Sequence, residues 1–365
     1  MNQQHQGLDA GLPIAQLAQD LVDIPSVSGN ERLIADRIEA ALRANKNLEI
    51  IREGNTIAAR TQLGREFRVS WAGHIDTVAP NANLVSESLP GFVSGRGSVD
   101  MKSGIAAALK LAVELTSPPT DLTWIFYDNE EVASDRNGLG LFAAKYPDWL
   151  ATDLAILGEP SNSALELGCN GTLRFVVSTR GKRAHSARSW MGSNAIHSAS
   201  DILHLLSSYR ADVVSIDGLE FCEGLNAVGI NGGVAGNVIP DKCSVTINYR
   251  FAPNKSVSTA KSMVSEMFGS YDVVVVDEAP GALPKISEPL LKKFIEESGL
   301  PVSAKQGWTD VARFSSLGIP ALNFGPGDPS LAHSDEEKVS LVEVERYFKT
   351  LRLLLGSDGN WGNFS

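Results

Sequence analysis

The sequence of 365 residues contains little cysteine, and this argues against two classes of protein. Its three cysteines, Cys169, Cys222 and Cys243, are widely spaced and odd in number, and no Cys-x-x-Cys pair occurs. Domains stabilised by disulfide bonds and zinc sites formed by thiolates both need paired or clustered cysteines. We therefore expect reduced, partly buried thiols.

Long apolar runs and an excess of positive charge are also missing. No stretch of about 18 apolar residues occurs, and Met1 to Gly11 lacks the apolar region of a secretory signal. The formal charge at pH 7 is -11, which suits neither nucleic acid nor an anionic membrane as a partner. We expect a cytoplasmic protein with no nucleic-acid and no membrane partner.

Strand and helix patterns alternate through the first part of the chain and again near its end. Apolar patterns predict strands at 67–71, 122–127, 154–157 and 320–324. An Ala-rich segment predicts a buried helix at 102–115. This alternation predicts an α/β fold with a mostly parallel sheet. Residues 79–99 show no periodicity and are predicted to form a long loop.

The pattern changes between residues 170 and 280. Two helices and four strands are predicted there in the order β-α-β-β-α-β, at 172–180, 193–209, 225–232, 243–251, 257–268 and 271–276. This order is typical of a small ferredoxin-like α+β unit. We therefore expect one domain from residues 1–169 and 281–365, an inserted domain from 170–280, and a loosely held tail after Gly356.

Acidic and imidazole side chains follow three of the predicted strands. His74 and Asp76 follow the first, Glu130 and Glu131 the second, and Glu159 the third. The carboxyl ends of parallel strands meet at one edge of a sheet, so these groups are expected to share a site. Taken singly, Glu130 and Glu131 also fit a solvated turn, and Glu159 an ordinary loop.

Asp100 and His333 complete a candidate site for divalent metals. Asp100 could simply cap the helix that starts near Lys102, and His333 could be a surface residue beside Asp335. Together with His74, Glu131 and Glu159, however, they supply two imidazoles and three carboxylates, which suit a pair of zinc ions. Asp100 is the expected bridge between the ions, which would activate a water for hydrolysis of an amide.

The motifs around these residues resemble the co-catalytic zinc family of aminoacylases and carboxypeptidases. The matching stretches are Gly73–Val78, Gly97–Gly104, Asn129–Glu131, Gly158–Pro160 and Ala332–Ser334, within a resemblance that runs from about residue 12 to 355. The resemblance implies two Zn²⁺ ions, with Co²⁺ as a possible substitute. One ion would be held by His74, Asp100 and Glu159, and the other by Asp100, Glu131 and His333.

The resemblance also implies roles for residues outside the ligand set. Glu130 would be the general base, and Asp76 would support His74 from the imidazole's other nitrogen. The insert would be a lid and the homodimerisation domain. From it, His185 would polarise the scissile carbonyl in the partner subunit's site, although by itself His185 fits a surface position at a strand end.

Within the family, further stretches resemble the actinobacterial-type branch that hydrolyses N-succinyl-LL-2,6-diaminopimelate. These stretches are 170–174, 183–195, 236–240, 248–251 and 308–310. A small-molecule substrate with several carboxylates is therefore expected. Arg174 and Arg250 could bind its carboxylates, and Asn237 and Thr309 could donate hydrogen bonds, while either arginine could instead form a surface ion pair.

Two alternative functions remain at this stage. A deacylase of acetylornithine or a dipeptidase would use the same metal site on a different substrate. A non-catalytic member of the family would keep the fold for binding alone.

Overall fold

The structure is a computed structural model that describes residues 7–81 and 88–356. Two compact units divide it. The larger unit takes the chain up to Leu167, then Lys285–Ser303, and then the chain from Thr309 onward. The second unit is Gly168–Pro284 with Ala304–Trp308. The predictions for residues 82–87 and for the tail beyond Gly356 lie outside the described residues.

The strands of the described chain are short and numerous. In chain order they are β1 (Glu49–Glu53), β2 (Thr56–Arg60), β3 (Arg68–His74), β4 (Ser88–Leu89), β5 (Phe92–Ser94), β6 (Asp121–Tyr127), β7 (Leu154–Leu157), β8 (Leu165–Leu167), β9 (Gly171–Arg180), β10 (Ala184–His185), β11 (Val213–Ile216), β12 (Leu219–Cys222), β13 (Gly224–Gly232), β14 (Val238–Ile239), β15 (Lys242–Phe251), β16 (Asp272–Ala279), β17 (Val302–Ala304), β18 (Ala321–Asn323) and β19 (Lys338–Ser340).

The α-helices of the same residues are α1 (Ile14–Val22), α2 (Arg32–Leu42), α3 (Ser103–Glu114), α4 (Gly138–Lys145), α5 (Ala195–Ser198), α6 (Ser200–Ser208), α7 (Val257–Phe268), α8 (Pro289–Ser298), α9 (Val311–Ser316) and α10 (Leu341–Leu355). Within residues 7–81 and 88–356, none of them combines the length and apolar character that a membrane span needs.

An eight-stranded sheet forms the centre of the larger unit, in the order β1-β2-β6-β3-β7-β18-β8-β17. The four central strands, β6, β3, β7 and β18, are parallel, and antiparallel strands flank them. The prediction of an α/β fold with a mostly parallel sheet is confirmed. Since the four central strands run in one direction, their carboxyl ends lie side by side at one edge of the sheet.

The hydrophobic pattern explains why these strands are central. Every residue of β6 and β7 is buried, as expected for parallel strands that are covered on both faces. The Ala-rich helix α3 is also buried along most of its length and packs against α1 and α10. Its small side chains let neighbouring helices approach closely, and the turn with Asp100 leads directly into its first residue.

The second unit contains a four-stranded antiparallel sheet in the order β13-β15-β9-β16. Alternate residues of β9 and β15 point into a core that the helices α5, α6 and α7 cover. Leu173, Phe175 and Val177 line this core from β9, and Phe268 from α7. The predicted ferredoxin-like α+β insert is confirmed, with two added hairpins, β10–β14 and β11–β12.

Three local predictions were wrong. The strand predicted to end at Trp71 continues to His74, because hydrogen bonding to β6 persists through the pair His74–Tyr127. The single helix predicted over 193–209 is broken at Ala199 into α5 and α6. Part of the predicted loop 79–99 forms β4 and β5, which pair with each other and, through β5, with β19 near the far end of the chain.

Candidate metal centre

The ends of three adjacent parallel strands supply the predicted ligands. His74 is the last residue of β3, Glu130 and Glu131 lie just after β6, and Glu159 lies just after β7. Asp100 lies in the irregular turn Ser98–Lys102 that leads into α3. The fold therefore brings side chains from distant parts of the sequence to one edge of the sheet.

Asp100 lies between two imidazoles. Its Oδ1 is 3.0 Å from Nε2 of His74, and its Oδ2 is 3.3 Å from Nε2 of His333. The same His333 nitrogen is 2.8 Å from Oε1 of Glu131. Because each oxygen of Asp100 faces a different imidazole, the side chain has the arrangement that a carboxylate shared by two metal ions requires.

The ligand atoms of His74, Asp100 and Glu131 all lie within 4.8 Å of one another, a spacing that one cation could span. Glu159 is buried. It lies close to Glu130 and Tyr127, because its charge contributes to the raised pKa values of both residues. Imidazole nitrogens and carboxylate oxygens are ligands that zinc accepts, so the residues present fit a pair of zinc ions.

The charges of the cluster also suit a cation. Burial would raise the pKa of Asp100, but hydrogen bonds from His333 and His74 outweigh burial and hold this pKa well below its usual range. Hydrogen bonds to Asp100 and Glu131 raise the pKa of His333 to about 10. The carboxylates thus favour positive charge between them, which imidazolium groups or metal ions can supply.

Asp76 is buried and orders both sides of the cluster. Its backbone oxygen lies 3.0 Å from Nδ1 of His74, so a proton on Nδ1 leaves Nε2 free to ligate a metal. Its carboxylate lies 3.6 Å from that nitrogen and accepts the backbone N–H groups of Glu130 (3.0 Å) and Glu131 (3.2 Å). The carboxylate therefore lies beside His74, and its hydrogen bonds also hold the turn with the two glutamates.

Glu130 and Glu131 point to different partners. Asn129, in the left-handed region with φ 57°, turns the chain just before them, and asparagine tolerates this conformation. Glu131 contacts His333, whereas Glu130 makes no comparable contact with an imidazole among the described residues. Burial raises the pKa of Glu130 well above its usual value, with Glu159, Asp310 and Glu131 adding to the shift and His74 opposing it. A carboxylate with a raised pKa takes up a proton more readily than an ordinary glutamate does.

The second unit contains most of the other predicted residues. His185 ends β10, is exposed, and its Nδ1 accepts the N–H of Ala187 at 3.1 Å. The pairing of β10 with β14 places it near Asn237, whose backbone oxygen accepts the N–H of Ser186 at 2.9 Å. These two candidates therefore belong to one small hairpin of the second unit.

The two arginines lie on neighbouring strands and on the sheet face opposite the core. Arg174 on β9 forms an ion pair with Asp277 at 3.2 Å, which agrees with the alternative prediction of a surface ion pair. Burial lowers the pKa of Arg250 on β15, and no hydrogen bond or ion pair of its guanidinium occurs within the described chain. Thr309 is buried in the larger unit, where its hydroxyl donates to Asn323 Oδ1 at 3.0 Å.

Two residues near the centre were missed in the sequence. The Ser28 hydroxyl donates to Asp76 at 2.7 Å, although Ser28 looked like part of an ordinary turn. Glu337 is buried and accepts backbone N–H groups from the turn with Asp100. Its position two residues before the buried Val339 was a usable signal of burial, because residues two apart in an extended segment point to the same side.

Comparison with known proteins finds a matching family and similar proteins. The model of peptidase family M20/M25/M40 matches residues 71–357. A Mycobacterium tuberculosis protein named "Putative succinyl-diaminopimelate desuccinylase DapE" is 53% identical over 349 residues, covering 95% of this chain and 98% of the relative. The succinyl-diaminopimelate desuccinylase of Corynebacterium glutamicum is 48% identical, covering 93% and 95%. The crystal structure of a tripeptidase from Staphylococcus aureus shares the fold, with a TM-score of 0.76 at 19% identity over 94% of this chain and 96% of that one.

Proposed function

The chain belongs to peptidase family M20/M25/M40, and on that ground we propose that it hydrolyses the amide bond of N-succinyl-LL-2,6-diaminopimelate. The products would be succinate and LL-2,6-diaminopimelate, on the route to lysine and cell-wall precursors. The 53% and 48% identities to proteins named for this activity, over nearly the whole chain, support the substrate. The observation that carries the reaction class is Asp100, with one oxygen facing each of two imidazoles.

The proposed cofactors are two Zn²⁺ ions, for which Co²⁺ could substitute. His74, Asp100 and Glu159 would hold one ion, and Asp100, Glu131 and His333 the other. Bound there, the ions would lower the pKa of a water molecule and polarise the substrate carbonyl.

The protein's own groups would move the protons. Glu130 would take the proton of the attacking water and pass it to the leaving amine, which its raised pKa favours. Asp76 would keep Glu130 in place through the N–H bond and fix the tautomer of His74. His185 would stabilise negative charge on the carbonyl oxygen from a second subunit.

We propose that the second unit is a lid and dimerisation domain. Among the residues that the structure describes, its strand β13 lies at an edge of the sheet and is hydrogen-bonded there to β15. Val228 and Ile230 on this strand are 60% and 56% exposed. An unpaired strand edge with exposed apolar side chains can pair with a second copy, so β13 is the proposed contact of a homodimer.

Arg250 is the favoured partner for a substrate carboxylate. Its guanidinium forms no hydrogen bond or ion pair within the described chain, whereas Arg174 already pairs with Asp277. Asn237 and Thr309 remain proposed hydrogen-bond donors to the substrate. A cytoplasmic location is also proposed, since all three cysteines are free thiols, which persist in reducing compartments.

Amine release from N-succinyl-LL-2,6-diaminopimelate tests the proposal, with N-acetylornithine as the competing substrate. Zinc-loaded protein should turn over the succinyl compound with a clear preference. Preference for the acetyl compound would reject the proposed substrate and keep the amidase chemistry. Activity on neither compound, nor on dipeptides, would favour a non-catalytic role.

A further inference from the structure

Glu337 is a buried acid that the proposed reaction does not use. Its side chain is 1% exposed, and it lies four residues after His333, just before β19. Its Oε1 accepts the backbone N–H groups of Gly97 (3.0 Å), Val99 (3.0 Å) and Asp100 (3.2 Å). One oxygen of Glu337 thus accepts hydrogen bonds from three N–H groups of the turn with Asp100.

The other oxygen of Glu337 is also engaged. Its Oε2 lies 3.0 Å from Nη1 of Arg96, whose side chain is 3% exposed. A buried carboxylate is costly unless it is paired and hydrogen-bonded, and here both conditions hold. A buried ion pair therefore lies next to the turn with Asp100.

Backbone contacts join the same two segments. The N–H of Gly95 donates to the backbone oxygen of Glu337 at 3.0 Å, and β5 pairs with β19 from Phe92–Ser94 to Lys338–Ser340. The turn also needs Gly97, because its φ is 86° and a side chain there would meet Thr77. The segment with Asp100 and the segment with His333 are therefore tied together at the side chain of Glu337.

We propose that Glu337, paired with Arg96, is a positioning residue that sets the spacing between Asp100 and His333. These two residues are 233 positions apart in the sequence, yet both must face the same metal. The inference rests on the proposed function, because it requires metal ions between these groups. A residue that only stabilised the fold would affect unfolding and leave the affinity of the folded protein for metal unchanged.

The experiment compares E337Q with a matched control, D121N. Asp121 is a buried carboxylate of the same unit that also accepts two backbone N–H groups, from Leu63 and Arg65, and is not part of the candidate centre. Zinc is removed with a chelator, and zinc affinity is then measured by competition with a fluorescent chelator. Visible spectra of the Co²⁺-loaded proteins report ligand geometry independently of activity.

We expect E337Q to bind zinc about 10- to 100-fold more weakly than the natural protein, the loss typical when a group that orients metal ligands is changed. Its Co²⁺ bands should shift, whereas D121N should lose stability and keep the natural affinity and spectrum. E337Q with natural affinity and spectrum would overturn the inference.

If E337Q does not fold, R96Q decides the question, because it removes the guanidinium that faces Oε2 and leaves Oε1 as the acceptor of the three N–H groups. We expect R96Q to bind zinc more weakly and to shift the Co²⁺ bands, and natural behaviour would overturn the inference. A natural protein that binds no metal would instead reject the proposed function.

Discussion

Among single residues, the adjacent Glu130 and Glu131 give the sharpest test of the proposed chemistry. We predict that E130Q lowers kcat by about 100- to 10,000-fold, since the amide cannot accept the proton of water. Bound zinc and KM should stay close to natural values, because Glu130 is not among the proposed ligands. Steady-state kinetics and metal analysis of the purified protein check this.

The neighbouring variant E131Q is the control for that experiment. Glu131 contacts His333, so E131Q should lose bound zinc as well as activity. Equal zinc loss in both variants would contradict the proposed division of roles, and full activity of E130Q would reject Glu130 as the base.

Two arginines on one sheet face should differ in their effect on substrate binding. We predict that R250M raises KM for the succinyl substrate by about 10- to 100-fold, the range expected for loss of a hydrogen bond to a charged group. R174M should have a smaller effect, because Arg174 already pairs with Asp277. Initial rates over a range of substrate concentrations measure both, and the reverse order would assign the carboxylate to Arg174.

Local sequence patterns led to candidate ligands but not to the contacts among them. His74 and Glu159 follow apolar strands, and the parallel-sheet rule placed both at one edge. The bonds from Glu130 and Glu131 to Asp76 join residues 54 and 55 positions apart. No local pattern shows which oxygen accepts which N–H over such distances. The contacts of Ser28 and Glu337 were overlooked for this reason, although the position of Glu337 relative to Val339 could have shown that its side chain is buried.

Among the structural elements, the start of β6 depends on one buried carboxylate. Asp121 accepts the N–H groups of Leu63 and Arg65 and the hydroxyl of Thr61. Burial would raise the pKa of Asp121, but these hydrogen bonds outweigh burial and lower it. A carboxyl with a lowered folded pKa stabilises the fold above its unfolded pKa of about 3.9 and loses this contribution as the pH falls through the folded pKa.

We therefore predict that D121N lowers the free energy of unfolding by about 1–3 kcal/mol at pH 7. The difference from the natural protein should shrink as the pH falls below about 4, because the unfolded chain then takes up a proton on Asp121 that the folded protein takes up only at lower pH. Urea denaturation at both pH values measures the difference. D36N, which alters an exposed ion pair with Arg52, should stay within about 0.5 kcal/mol of the natural protein. A D121N difference that is constant with pH would contradict the prediction.

The elements that local sequence predicted best are those with a strong apolar period. Helix α7 has the predicted bounds, and β7 is a short, wholly apolar run that needed no partner to be recognised. The pairing of β5 with β19 was missed because each strand has three residues and their pairing is long-range. Short strands of this kind are specified by their partners more than by their own residues.

For the whole molecule, the oligomeric state links the second unit to the proposed chemistry. We predict that the double variant V228K/I230K converts a dimer into a monomer of about 39 kDa, because charges on the edge strand β13 oppose pairing with a second copy. Light scattering coupled to gel filtration measures the mass. If His185 acts across the dimer, the monomer should also lose most of its activity, while zinc stays bound in the larger unit.

The opposite edge of the same sheet provides the control for this last prediction. Val276 on β16 is also an exposed apolar residue on an edge strand, at 52% exposure, so V276K tests the effect of a charge without touching β13. V276K should remain a fully active dimer. A fully active V228K/I230K monomer would reject the role of His185 across subunits, and an intact V228K/I230K dimer would move the interface away from β13.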